Sequence, residues 1–318
     1  MQAGGNVGSA VIKELAKDYP HFNVTAISRS TGTSTQPTSS NLTLKTIDYT
    51  SLSSLTEAFF GQDAVLNCVT GGATQYDASK LIIDAAVAAG VKLFFANEFV
   101  GHIDSPQYRR LPEAFVGAKF RIREYLRELA AAGKIAWTSL NGGPFFDMWL
   151  MKGPAGIDVA NRQARIYGSG NNPLFWTPLP VIAKAVGNML RNPDAVVNRP
   201  IYICPFAKGE LTQRSLLNTV EHIVASKFSV EEVDVAKINK NAKIVLERGE
   251  GGKAMKGLAV SNQFYEEDSG NDFGHLIEND VVGVESMSVE EAVRDAISRW
   301  GKDSQIVESM YSVEACEV

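Results

Sequence analysis

A lysine in apolar company, a glycine-rich turn heading a helix, and an arginine at a strand end are the residues here whose types and spacing suit chemistry. Lys119 follows Phe115-Val116-Gly117-Ala118. A lysine desolvated by such neighbours loses proton affinity and can exchange a proton near neutrality. The competing reading is a snorkelling surface lysine among Arg121 and Arg123. The stretch Ala3-Gly4-Gly5-Asn6-Val7-Gly8-Ser9-Ala10-Val11-Ile12-Lys13-Glu14-Leu15 runs a glycine turn straight into a helix. Val7, Val11, Ile12 and Leu15 share one face of it. The unpaired N–H groups at a helix N-terminus and the positive end of its dipole suit a pyrophosphate, which glycines let approach closely. Gly4, Gly5, Asn6, Val7 and Gly8 are therefore expected around such a group. The full fingerprint asks for one more glycine, which would fall at Gln2 or Ala3, and for a strand in front of it.

Arg29 and Ser30 close the strand that follows this helix, where a ribose is read in dinucleotide-binding sheets. An acidic residue there selects the 2′-hydroxyl, whereas an arginine accommodates a 2′-phosphate, so the pair points to NADPH over NADH. Asp48, at the next strand end, is either near the adenine or a turn carboxylate. Tyr76 and Lys80 have the Tyr-x-x-x-Lys spacing of a catalytic pair, but they sit one strand–helix unit too early, and two common residues meet at this spacing by chance. The four histidines show no metal spacing, and no metal site is expected. His102 borders the candidate site or is an idle loop residue.

The elements that must position these residues alternate. Strands are expected at Asn23–Ser28, Leu42–Ile47, Ala64–Val69, Lys92–Ala96 and Ile135–Leu140. Helices are expected at 54–60, 78–89 and 115–132. That rhythm predicts an α/β, Rossmann-like, doubly wound and mostly parallel sheet, with a smaller C-terminal substrate lobe. The expected division is 1–150 for dinucleotide binding and 151–318 for the lobe, with 178–204 and 288–301 returning to pack on the sheet. Residues 230–256 are charged and glycine-containing and read as a surface excursion. Ser288 and Glu291 form a capping-box pattern for a last helix that reaches Trp300. Net charge is −5 over 318 residues, which gives no reason to expect a nucleic-acid partner. Three scattered cysteines fit a reducing compartment, and no apolar run spans a bilayer. A cytoplasmic monomer or homodimer, with no membrane partner, is the expectation.

The chain resembles the NmrA-like and isoflavone-reductase-like branch of atypical short-chain dehydrogenases, in its fungal form. The resemblance covers nearly the whole length. It is carried by Gly4 to Gly8, Ile83-Asp84-Ala85-Ala86 with Ala89-Gly90-Val91-Lys92, Asn97-Glu98-Phe99, Lys119 with Ile122-Arg123, and Asn141-Gly142-Gly143-Pro144-Phe145-Phe146. It implies NADPH as cofactor and a small phenolic or heteroaromatic substrate, with Lys119 as general acid/base. It also implies that Thr70, Gly71, Asn97 and Glu98 line the nicotinamide side, while Phe99, His102, Phe145, Phe146 and Trp149 border the substrate. The chain departs from the family in lacking the first buried strand, which is central in the order 3-2-1-4-5-6. Either residues upstream of Met1 belong to the protein, or the sheet has rearranged; otherwise a slot opens between two strands without ladder partners. A redox-neutral isomerase, acting on an epoxide or carbonyl, is the alternative function. An NmrA-type dinucleotide sensor is the second, although a sensor needs no proton donor.

Overall fold

The computed structural model describes residues 1–29, 39–69, 75–113, 116 and 118–318. Ser30, Thr70 and Gly71 lie outside the described residues. The first half alternates as its periodicity requires. It runs α1 (Asn6–Leu15), β1 (Val24–Ser28), β2 (Leu42–Thr46), α2 (Leu52–Phe59), β3 (Ala64–Leu66), α3 (Tyr76–Ala88), β4 (Leu93–Phe95), α4 (Pro106–Arg109), α5 (Ala118–Ala131) and β5 (Ala136–Asn141). The second half holds α6 (Phe146–Lys152), β6 (Ile157–Asp158), β7 (Gln163–Tyr167), α7 (Leu179–Arg191), β8 (Arg199–Tyr202), α8 (Gln213–Val224), β9 (Ser229–Val233), α9 (Val235–Glu247), α10 (Gly251–Phe264), α11 (Val289–Trp300) and α12 (Glu308–Tyr311).

Parallel pairing dominates. The central sheet has the order β3-β4-β5-β8, all parallel. Val65, Phe94, Phe95, Trp137, Leu140 and Ile201 are buried in it, as expected of strands covered on both faces. β3 stops three residues earlier than its apolar run suggests. The Asn67 side-chain oxygen accepts the N–H of Val69 and turns the chain out of the ladder. β1 and β2 pair with each other, in parallel, as a separate two-stranded unit.

The expected single sheet is thus parted between β1 and β3. A cavity of about 450 Å³ fills the gap, lined by Val24 and Ala26 on one side, Ala64 and Leu66 on the other, and Val11 and Ile12 of α1. The sheet has not rearranged to close it. Residues 1–3 reach across: the Met1 amino group donates to the Leu66 carbonyl at 2.7 Å, and the Ala3 N–H donates to the Ile27 carbonyl at 3.1 Å. These bonds hold the glycine turn at the C-terminal ends of the strands, where a doubly wound sheet keeps its ligand crevice.

Two expectations for the second half are corrected. Residues 230–256 are no surface excursion: they form most of β9, all of α9 and the start of α10. Gly257 lets α10 press on α9, because a Cβ there would stand 2.9 Å from the Cβ of Ala242. The charges occupy outer faces, while Val235, Ile238, Ala242, Val245, Ala254 and Leu258 are buried. Residues 288–301 form α11, opened by the reciprocal Ser288–Glu291 capping box. α11 packs on α6 and α8 within the lobe rather than returning to the parallel sheet. α7 packs on α1, where Gly187 faces Glu14 and Leu15.

Candidate active site

Lys119 is the second residue of α5, and its side chain is only 7% exposed. Its Nζ donates to the Asn97 carbonyl at 2.5 Å. Burial lowers its pKa to about 8, against the opposing pull of Glu98 and Cys68. The buried position replaces the snorkelling alternative. Asn97 is held in turn by its side-chain amide, which donates to the Val69 carbonyl at 2.5 Å. Phe99 ends this turn with φ +43° and stacks on Phe95, with ring centroids 5.8 Å apart.

A crevice of about 460 Å³ opens in front of this lysine. The parallel sheet supplies Asn97, Phe99, Gly143 and Pro144, α1 supplies Asn6 and Val7, and the lobe supplies Phe145, Met148, Trp149, Met255, Asn262 and Gln263. The walls are mainly apolar and aromatic, with polar groups at few points, as in small-molecule pockets generally. Phe146 is placed differently from the sequence expectation. It is fully buried against Phe206 in the lobe core, one helix face away from the crevice. His102 is also outside the crevice lining and packs edge-on against Tyr202 and His275. The Glu98 backbone reaches the crevice, but its carboxylate is engaged by Arg123 and Asn141.

The glycine turn lies at the far end of the same crevice. Gly5 is the N-cap of α1, with no side-chain cap and no acidic residue in the first turn. The N–H groups of that turn have no intrahelical acceptor. Gly8 is required by contact, since a Cβ there would stand 2.3 Å from the Gln2 carbonyl oxygen. Arg29 follows β1 with its guanidinium 6.0 Å from the Tyr49 ring centroid. Tyr49 ties the region together: its hydroxyl accepts the Gln2 N–H at 2.9 Å and donates to the Ile27 carbonyl at 2.8 Å. Asp48 lies between β2 and α2. The Thr50 hydroxyl and N–H bond to it at 2.7 and 2.8 Å and hold its carboxyl below the usual range. The Tyr76/Lys80 pair lies away from the crevice lining: Lys80 bonds Asp84 at 2.6 Å, and Tyr76 lies under the Arg121 guanidinium.

Residues 3–149 match the NAD(P)H-binding family model. The oxidoreductase aprR of Aspergillus flavus is 31% identical over 235 residues, 73% of this chain and 75% of the relative. The crystal structure of an isoflavone reductase shares the fold at TM-score 0.66 and 17% identity, covering 92% of this chain and 97% of that one. The chain belongs to the family of this fungal oxidoreductase and carries an NAD(P)H-binding domain. The same fold recurs in the leucoanthocyanidin reductase–NADPH complex from Vitis vinifera, at TM-score 0.67 and 15% identity, covering 93% and 97% of the two chains.

In this oxidoreductase the residues fit a dinucleotide. The uncapped first turn of α1 has the N–H groups that would hold a pyrophosphate, and the contact that forbids a side chain at Gly8 keeps the turn flush with the preceding backbone. Among the described residues there is no cluster of three or more metal-ligating side chains, and no helix is long and apolar enough to cross a membrane. Sequence reasoning missed Tyr108, Leu111 and Met148 of the lining, and a whole wall from α10. Met255, Ala259, Asn262 and Gln263 form the lobe-side wall, and the one sequence signal was the uncharged polar run Ser261-Asn262-Gln263 inside a helix. Asn262 and Gln263 are each only 2% exposed. The Gln263 side-chain oxygen accepts the Trp176 indole N–H at 2.8 Å, and the Asn262 side-chain oxygen accepts the Gly270 N–H at 2.7 Å.

Proposed function

We propose that this oxidoreductase is an NADPH-dependent reductase of an aromatic or heteroaromatic small molecule, with Lys119 as the general acid. The observation that carries the reading is a buried lysine of depressed proton affinity at the edge of an apolar crevice that begins at an uncapped helix N-terminus. Bound NADPH supplies the hydride. Gly5, Asn6, Val7 and Gly8 hold the pyrophosphate, and Arg29 pairs with the 2′-phosphate. Phe99, Phe145 and Trp149 confine a planar substrate and exclude water. As the acceptor carbon gains the hydride, negative charge grows on its oxygen. Lys119 stabilises that charge and gives up its proton to it, so a carbonyl leaves as an alcohol and the lysine is left neutral. The Asn97 carbonyl keeps Nζ aimed through the exchange.

The fold shared with an isoflavone reductase and the similarity to the fungal oxidoreductase support this reading. The depressed proton affinity of Lys119 also serves a second reading on the same residues, a redox-neutral isomerase in which it shuttles a proton without hydride transfer. One assay separates them. The protein is incubated with a panel of aromatic ketones, quinones and epoxides, with and without NADPH, while NADPH absorbance and products are followed. Stoichiometric NADPH consumption with reduced product supports the reductase. Conversion that proceeds equally without NADPH overturns it in favour of the isomerase.

A further inference from the structure

Lys119 and Arg123 stand one helical turn apart on α5, so their side chains leave the same face. Both are buried, Arg123 completely. Arg123 grips Glu98 with two nitrogens: Nε donates to Oε1 at 2.8 Å and Nη2 donates to Oε2. Its Nη1 donates to Asp104 Oδ2 at 2.5 Å. From β5, the Asn141 amide adds a bond to Glu98 Oε2 at 2.9 Å. Glu98 is the residue after Asn97, whose carbonyl receives Lys119. One helix face therefore meets one turn twice, through an ion pair and through the lysine. The planar, two-pronged guanidinium fixes distance and orientation together, which an ammonium does not.

The charges around the pair are few and can be named. Glu98 and Cys68 face Lys119. Glu98, Asp104 and the Tyr202 phenol from β8 face Arg123, with His102 and Arg109 beside Asp104. Burial disfavours an ionised Glu98, but the Arg123 guanidinium outweighs it and holds the carboxyl below its usual range. An ionised Glu98 without that guanidinium would act on Lys119 alone, pulling a proton onto it.

We propose that Arg123 is a positioning residue: through Glu98 it fixes the Asn97 carbonyl beneath the Lys119 ammonium and balances the carboxylate charge that Lys119 faces. The proposal rests on Lys119 as the proton donor, yet its test needs no substrate. The protein is labelled with [13C]lysine, and the Lys119 Cε resonance, assigned by its loss in Lys119→Met, is titrated against pH. Arg123→Met leaves Glu98 uncompensated and should move the Lys119 titration up by about one pH unit or more. Glu98→Gln removes the anion and should move it down. The double variant Arg123→Met/Glu98→Gln should titrate lower than Arg123→Met. Circular dichroism checks each fold, and Glu98→Gln alone decides if Arg123→Met does not fold. An unmoved titration in the folded variants, or shifts of the same sign, overturns the proposal and leaves Arg123 a merely structural ion pair. NADPH-dependent reduction of a naphthoquinone, measured alongside, reports the reductase reading separately: its absence would not move the titrations.

Discussion

The Nζ of Lys119 lies 2.5 Å from the carbonyl oxygen of Asn97, in a side chain only 7% exposed. An ammonium has three donors. The carbonyl takes one and sets the direction of the others, so an incoming substrate oxygen can share the same nitrogen. Asn97 is itself tied to Val69, which makes the turn after β4 the reference frame of the site.

Removing this nitrogen should stop the chemistry while sparing the fold. Lys119→Ala is expected to lower turnover by about 10²–10⁴. Lys119→Arg should recover little, because a guanidinium stays protonated and cannot cycle. Lys80→Ala, at an exposed ion pair with Asp84, should leave turnover within about twofold. With Lys119 as donor, the rate holds below its pKa of about 8 and falls as pH rises through that value. A steady-state pH profile of the parent and the three variants checks all of this.

Burial of Lys119 also weakens the folded state, and the sign follows from linkage. Its folded pKa lies below the ordinary 10.5, so the unfolded chain binds the proton more tightly. The penalty is complete below about pH 8, shrinks as pH rises and vanishes above the unfolded value. Lys119→Met should therefore stabilise the protein at pH 7, by at most about 3 kcal/mol, and by much less at pH about 10. Urea unfolding at the two pH values measures the difference.

Arg29 should discriminate between cofactors. Arg29→Ala is expected to weaken NADPH by about 10- to 100-fold, the worth of a charge-assisted bond, and NADH by less than about threefold. Fluorescence titration of both dinucleotides reads the ratio. Equal losses would remove Arg29 from 2′-phosphate recognition.

Gly8 tolerates no side chain. Gly8→Ala places a Cβ 2.3 Å from the backbone oxygen of Gln2, so the glycine turn must shift off α1. A destabilisation of about 1–3 kcal/mol and a loss of NADPH binding are expected. Thermal unfolding with and without NADPH tests both effects at once. Gly252→Ala is the control, since nothing lies within 4 Å of its added Cβ.

The strand–helix rhythm was legible because apolar runs of the right length alternate with helical spacing, and the burial of Lys119 because its sequence neighbours are apolar. The pocket wall was only half legible. In Phe145-Phe146-Asp147-Met148-Trp149-Leu150-Met151 nearly every residue is apolar, so no polar stripe marks which face looks inward. Phe145, Met148 and Trp149 turn to the crevice, while Phe146 and Leu150 turn to the core. Asn262 and Gln263 were hidden for another reason. They are brought to the site by tertiary packing of α9 on α10, and the charges before them suggested solvent. Asp48 was placed at a strand end by the sequence, and its bonds to Thr50 depend on local turn geometry that no apolar pattern encodes.

Arg29 follows the β1–β2 ribbon, and Lys119 stands on α5 beside the block that holds β4 and β5. A dinucleotide that reached from one to the other would be a cross-strap as well as a reagent: its binding would draw on the stiffness it creates, and its release would loosen the two again.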